Sequence, residues 1–594
     1  MRWTCALALA GALVLCASPR EAQAGHAYLA DCSSSSAGLC AALSDDGTRA
    51  VFPFAEPLVE GAGERQIYAR GGGRTEAVSP IDVRQRPKYG AFLGASSDTR
   101  HVFVWTDYAL APEDTDAGAD IYDVSGGRAT LLSVDPSGST AMLTYAGASA
   151  DGSRVFMNTM GPILTPAGGN ACWGIYERSL GTTTAVSPPP IVDPEAPPPN
   201  PNSCALLLLG GVSGDGTHVF FTTDERLVPE DEGGRDIYQR VGGTVTLLTT
   251  YPETVGGNCV EFGGFVDASA DGRTVLFSTN VAISPEDHDA DGDVYRREPD
   301  GSFTLVSRGV EGGSGSPGCG PGGGSYFTRG VALAADGGIA IVETNARLVP
   351  EDHDSSADVY SYAPGGGVSL VTTGPTDPGV DETSVIGLWH PAVSDDARHV
   401  AFETPQPLVP EDRDRAFDVY VRAGDVTELA STGPGSKPGR NHRADLLDIS
   451  GDGLSVAFAT KERLSPFDTD DAIDYYARRN GRRTVLLSAE GIPPEIRVGR
   501  RGRLLGEGWA AVRVACARTE TTGPCRGTVS LRRGRKTVGR SRFRVDAGDG
   551  KPVAVRLREG AVLSGGTVVL ARVEAMDRLG NRTSVTRRVT LVGR

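Results

Sequence analysis

Ser269-Ala270-Asp271-Gly272 opens the stretch that decides the fold. It runs on through Val275-Leu276-Phe277, the loop Pro285-Glu286-Asp287, then Asp293-Val294-Tyr295 and finally Thr304-Leu305-Val306-Ser307. With the inner strand that leads into it, a small polar turn, an apolar strand, an acidic loop, another strand and a Gly-containing turn before a last strand make one unit of four short strands. The opening turn recurs at Ser149-Ala150-Asp151-Gly152, Ser213-Gly214-Asp215-Gly216 and Ser450-Gly451-Asp452-Gly453. Degenerate copies stand at Ser96-Ser97-Asp98-Thr99 and Ala334-Ala335-Asp336-Gly337.

One tyrosine marks each copy: Tyr68, Tyr122, Tyr176, Tyr238, Tyr295, Tyr360, Tyr420 and Tyr476, spaced by about 54 to 65 residues. Tandem four-stranded units predict a β-propeller, because radial closure protects sheet edges that a linear array would expose. The register predicts eight blades. The first unit begins with its own inner strand near Leu39, so closure by strand exchange between the chain ends is not expected.

The Ser-x-Asp-Gly turn, the apolar strand and the Asp-Ile-Tyr or Asp-Val-Tyr strand resemble the WD40-like repeats of the TolB propeller family. The Leu-Val-Pro-Glu-Asp-x-Asp variant resembles a form common in exported bacterial proteins. The resemblance covers about residues 39–490 and implies the fold. It implies no role in the Tol system, whose amino-terminal domain is not recognisable here, and propellers serve many functions.

The predicted organisation has three parts: residues 1–24 as a secretory signal, 25–491 as the propeller and 492–594 as a separate basic module. Arg2, the apolar run from Ala6 to Ala17 and Ala22-Gln23-Ala24 before Gly25 form the signal. The apolar run is about twelve residues, too short to span a bilayer as a helix, and no later segment is long enough either. In the last hundred residues Val553, Val555 and Leu557 alternate with polar positions, as do Val569, Ala571 and Val573. This predicts a small antiparallel β-sandwich resembling the Ig-like modules of secreted bacterial proteins.

Charge divides the chain at Ile492-Pro493-Pro494. Residues 492–594 hold 23 Lys and Arg against 8 Asp and Glu, a net of +15. The whole chain carries −17, which leaves −32 for residues 1–491. Two readings of the basic module stand side by side: attraction to an anionic wall polymer or to the acidic propeller, and a solvated Arg-rich surface. No aromatic residues interleave with Arg532-Arg533-Gly534-Arg535-Lys536, which argues against a nucleic-acid partner.

Eight cysteines remain after the signal, an even number suited to disulfides in an exported chain. Neighbour pairing predicts Cys32–Cys40, Cys172–Cys204, Cys259–Cys319 and Cys516–Cys525.

The acidic loops repeat a spacing. Asp114, Asp116 and Asp120 recur as Asp352, Asp354 and Asp358, as Asp412, Asp414 and Asp418, and as Asp468, Asp470 and Asp474. The fullest copy is Asp287, Asp289, Asp291 and Asp293, with Gly292 in the turn. Carboxylates at alternate positions can converge on Ca2+, which takes six to eight oxygens. The competing reading is an Asx-turn, in which each Asp bonds its own loop amides. Asp287 to Glu298 also fits the EF-hand spacing, but Glu298 would be carried away along a strand.

In such a meander the acidic loops and the inter-blade loops share one face, together with the inserts from Pro188 to Ser203 and from Gly309 to Ser325. The sequence contains no nucleophile elbow, no His-Glu-x-x-His and no P-loop. The expectation is therefore a secreted, non-catalytic binding or scaffold protein. It would contact a protein or glycan of the cell surface or medium through that face, with no required cofactor and calcium as a stabilising ion. The alternative is a secreted hydrolase or lyase using acids in the propeller channel.

Overall fold

The structure is a computed structural model. It describes residues 28–29, 40–55, 58–59, 66–72, 74–78, 90–115, 117–134, 142–160, 174–188, 191, 207–231, 235–249, 264–279, 283–287, 292–309, 328–353, 357–375, 391–436, 442–465, 468, 472–488, 496–506, 508–516, 525–534, 536–546, 549–576 and 582–593. Every secondary-structure element among these residues is a β-strand. Among the described residues no helix is long and apolar enough to cross a membrane.

Eight antiparallel sheets follow one another along residues 42–77, 90–131, 142–185, 207–247, 264–305, 328–370, 392–429 and 444–486, here blades 1 to 8. Each contributes four consecutive strands, paired in chain order from the axis outward. Blade 7 is typical, with Ala392–Val393, His399–Thr404, Asp418–Ala423 and Val426–Leu429. Its second strand is a nearly continuous buried run, because each blade is covered on both faces by its neighbours. The marker tyrosine lies opposite an aromatic of the second strand in several blades: Phe221 opposite Tyr238, Phe277 opposite Tyr295, Phe402 opposite Tyr420 and Phe458 opposite Tyr476. These four pairs stack with ring centroids 5.7 to 5.9 Å apart, within the range of favourable aromatic contact.

The ring closes without strand exchange. Eight apolar clusters fill the eight gaps between blades, and the closing one joins Leu43, Phe52 and Tyr68 of blade 1 to Leu447, Tyr475 and Leu487 of blade 8. The Ser-x-Asp-Gly turns add a belt of backbone hydrogen bonds. The amide of Asp45 donates to Ser97, Ser97 to Ala150 and Ala150 to Gly214. Ala270 likewise donates to Ala335, Ala335 to Asp395 and Asp395 to Gly451, and Asp452 returns to Asp45. Within a turn the serine hydroxyl donates to the Asp two residues on, as Ser149 does to Asp151 at 2.7 Å. The fourth position has positive φ, met by Gly152 at +72° and by Thr99 at +55° in the degenerate copy.

A bulge in the innermost strand sets a second inter-blade position, held by Gly94, Gly147, Gly211 and Ala332. A Cβ at Gly211 would lie 2.7 Å from the Phe265 ring of the next blade. Asp267 and Asp448 occupy this position in blades 5 and 8. Each is buried and accepts a backbone amide from the following blade's inner strand, Leu333 at 2.6 Å and Leu43 at 2.6 Å.

Tyr28–Leu29 forms a fifth strand at the axial edge of blade 2, with Tyr28 opposite Ala95 and Leu29 opposite Gly94.

The C-terminal residues form one seven-stranded sheet. Its strands are Ile496–Gly506, Trp509–Cys516, Cys525–Arg533, Lys536–Val545, Gly550–Arg556, Val568–Met576 and Arg582–Val592. Their order is 536–545, 525–533, 568–576, 582–592, 496–506, 509–516, 550–556. The first strand belongs to two partnerships. It runs antiparallel to 509–516 and, across a register shift, parallel to 582–592. The two outer edges meet at Gly539 and Leu557, so the sheet wraps round its own apolar core.

Candidate functional site

The acidic loops connect the second and third strands of each blade. Their repeated aspartates have repeated partners. In six blades the first Asp of the loop accepts a hydrogen bond from the hydroxyl of the marker tyrosine: Tyr122 donates to Asp114, Tyr238 to Asp231, Tyr295 to Asp287, Tyr360 to Asp352, Tyr420 to Asp412 and Tyr476 to Asp468. Burial and the adjacent carboxylate push these phenols well above their ordinary range. The last Asp accepts from a hydroxyl beside the fourth strand. Ser133 donates to Asp120, Ser307 to Asp293, Thr372 to Asp358, Ser431 to Asp418 and Ser488 to Asp474.

Asp116, Asp289, Asp291, Asp354 and Asp470 lie outside the described residues, as do Cys32, Cys172, Cys204, Cys259 and Cys319. Of the inserts from Pro188 to Ser203 and from Gly309 to Ser325, only Pro188, Ile191 and Gly309 are described. Cys516 and Cys525 form their disulfide, with Cα atoms 5.9 Å apart. Cys40 is disulfide-bonded to a partner outside the described residues. Glu298 stands beside Arg296 at 2.9 Å, carried along the strand as its position requires.

Among the described residues, one set of these acids converges. Asp412, Asp414 and Asp418 bring one carboxylate oxygen each within 4.8 Å of one another. Burial, with Asp412, Asp414 and Glu462 nearby, pushes Asp418 up to about 7, against the bond from Ser431. Three oxygens are half of the six that calcium takes at the least, and all three of these carboxylates already accept protein hydrogen bonds. The donors are of the right hard-oxygen type for Ca2+, and further oxygens would have to come from water or backbone.

The same end of blade 7 holds charges that depart from the repeat. At the position one residue before the Thr near the end of the second strand, blades 3, 4 and 5 carry Asn158, Thr222 and Ser278, whereas blades 6 and 7 carry Glu343 and Glu403. Both are buried, at 1 % and 2 % exposure. Glu343 pairs with Arg329 of its own inner strand at 2.8 Å, and burial raises its pKa. Glu403 accepts the Leu446 amide and the Arg443 guanidinium of blade 8, the latter at 3.2 Å. Arg443 also donates to Asp445 at 2.6 Å and lies 4.8 Å over the Phe417 ring. The Ala444 amide then donates to the Phe417 carbonyl at 2.8 Å. This bridge between blades 7 and 8 sets Asp418 and Asp445 one residue to either side of it.

Asp445 and Arg443 stay accessible, with side chains 30 % and 44 % exposed. The blade 7–8 bridge thus carries a carboxyl that holds its proton to about pH 7 and an acid ion-paired to a guanidinium, and acid–base chemistry needs carboxyls in differing environments. Sequence reading found Asp418 through its repeat and missed Arg443, Asp445 and Glu403. The available signal was a glutamate at a strand-end position that most copies leave uncharged.

No protein-family model and no curated protein matches the chain. Among solved structures, a Penicillium chrysogenum α-L-arabinanase complexed with arabinobiose is similar, at 13 % identity and a TM-score of 0.21, over 50 % of this chain and 85 % of that one. The expectation of a non-catalytic scaffold gives way to the hydrolase weighed as its alternative. A likeness of that size transfers no activity. The physical reason lies in the chain's own departures: ion pairs at positions that the repeat elsewhere fills with uncharged residues.

Proposed function

We propose that the chain is a hydrolase that cleaves glycosidic bonds at the mouth of the blade 7–8 junction. Asp418 acts as the proton donor and Asp445 as the base. The observation that carries this reading is the Phe417–Ala444 hydrogen bond, whose two residues are each followed in the chain by an acid: Asp418, its pKa raised to about 7, and Asp445, ion-paired to Arg443. Two such carboxyls suffice for glycosidic cleavage, and no nucleophilic Ser or Cys is required. Arg443 pairs with Asp445, and Glu403 anchors Arg443 from the neighbouring blade.

The test is release of reducing ends from a panel of neutral and acidic polysaccharides. Asp445→Asn and Asp418→Asn should each lower turnover about 100-fold or more. The wild-type profile should fall as pH rises through about 7, where Asp418 loses its proton. Turnover that survives both substitutions, or no turnover of any polysaccharide, removes the reading.

A second reading rests on the 4.8 Å grouping of Asp412, Asp414 and Asp418. Calcium there would hold Asp418 ionised and stabilise the fold by mass action. A melting temperature that rises with calcium and falls with chelator, blunted by Asp414→Ala, supports it and takes the proton donor's role from Asp418. We further infer a TolB-like, WD40-like repeat type, supported by the register of the Ser-x-Asp-Gly turn and the marker tyrosine. An Ig-like relation for the C-terminal module is supported by its first strand, shared between two partnerships. Work outside the cytoplasm is supported by Ala22-Gln23-Ala24 and by the Cys516–Cys525 disulfide.

A further inference from the structure

We propose that the outer face of the C-terminal module binds a linear anionic polysaccharide. In each strand of the sheet, alternate residues face the core and solvent. On strand 536–545 Phe543 and Val545 are buried, while Arg540, Arg542 and Arg544 are exposed. On the adjoining strand 525–533 Arg526 lies directly opposite Arg544. Strand 568–576 adds Arg572, opposite Ser530, and strand 582–592 adds Arg588, opposite Leu570. Six exposed guanidinium groups therefore share one sheet face, at spacings of about 7 Å along a strand and about 5 Å between strands.

Glu574 is the acid among the outward residues of this patch. It is already engaged by Arg572 at 3.0 Å and by Arg540 at 4.0 Å. Arg526, Arg542, Arg544 and Arg588 have no acidic partner among the described residues. Like charges set opposite each other across strands destabilise a sheet, so a face built only for solvation would intersperse both signs. A face that presents forked donors in rows complements a polymer with a carboxylate or sulfate on successive monomers. The intervening outward residues are Thr528, Ser530, Leu570, Ser584 and Thr586. None offers the aromatic platform on which unpaired bases stack, so the observations favour a glycan over a nucleic acid.

The experiment uses the full chain carrying Asp445→Asn, so that cleavage does not interfere and failure of the catalytic reading leaves this one standing. Affinity for polygalacturonate and dextran sulfate is measured against neutral dextran at 50 and 300 mM salt. Binding to both anionic polymers, weakened at least tenfold by the higher salt, and no binding to dextran are expected. Arg542→Glu with Arg544→Glu should reduce affinity at least tenfold. The milder pair Arg542→Gln with Arg544→Gln should reduce it about threefold with an unchanged melting temperature. Affinity untouched by either pair, absence of binding at 50 mM salt, or tighter binding to single-stranded DNA than to dextran sulfate would each overturn the proposal.

Discussion

The propeller and the C-terminal module treat charge in opposite ways. In the propeller, repeated carboxylates turn to partners made by the fold itself: tyrosine hydroxyls, serine hydroxyls and backbone amides of the next blade. In the module, arginines turn outward in rows, and one glutamate answers two of them. The larger net charge, −32, is therefore in good part structural, and the smaller one, +15, is displayed. Charge counted along a chain measures neither exposure nor availability. A buried acid is retained only where donors offset its desolvation, whereas a surface arginine needs no partner.

The strongest way to break this comparison is to remove an acid from the propeller's closure. Asp448→Ala leaves the amides of Leu43 and Ile449 without their acceptor. The unfolding free energy should fall by about 3 kcal/mol, since each unsatisfied buried amide costs about 1–3 kcal/mol. Denaturant unfolding of Asp448→Ala beside Arg542→Gln/Arg544→Gln gives the contrast directly. The arginine pair should stay within about 0.5 kcal/mol of the parent. Equal losses in the two variants would show that the displayed charges are structural after all.

A smaller effect sharpens the reading of the acidic loops. Tyr420→Phe removes the donor that holds Asp412 and should cost about 1–2 kcal/mol. It should also loosen the Asp412, Asp414 and Asp418 group and lower Asp418's pKa by freeing its neighbour's orientation. Titration of the Asp418 carboxyl by NMR in both proteins checks this, and an unshifted Asp418 would dissociate the tyrosine from the site.

The smallest effect concerns His101, whose ring bonds Asp123 at 2.8 Å. That bond, ahead of the opposing burial, raises the histidine above its ordinary value near 6.5. A raised folded pKa means that its contribution is complete below the ordinary value and is lost as pH rises through the folded one. His101→Gln should flatten stability between about pH 6 and 8 by a few tenths of a kcal/mol, screening having reduced a half-exposed pair. An unchanged pH slope would count this pair among the solvated charges.

Much of the fold was legible in the residues. The eight tyrosines number the blades, the Ser-x-Asp-Gly turns mark where inner strands reverse, and the spacing of nine between Cys516 and Cys525 suits a bridge across two strand ends. The Asp repeats were legible as positions but not as roles. Whether Asp287 faces a cation or the Tyr295 hydroxyl depends on a partner eight residues away across a loop. The alternation in the last hundred residues announced strands, yet it did not say that Arg526 and Arg544 would lie opposite each other. It also held no sign that Tyr28–Leu29 would join blade 2 at the axis.

What the sequence determined by itself was local and periodic: strand, turn, strand, repeated often enough that only a closed ring buries every blade on both faces. What the tertiary structure decided was non-local. Leu43 finds Asp448 across 405 residues, Ala444 reaches back to Phe417, and Arg443 joins Glu403 of one blade to Asp445 of the next. Periodicity constrains which face a side chain takes, because that depends on its own backbone. It cannot name the group waiting there, because a hydrogen-bond partner is chosen by proximity in space, and in a ring the nearest neighbours include the first and last blades.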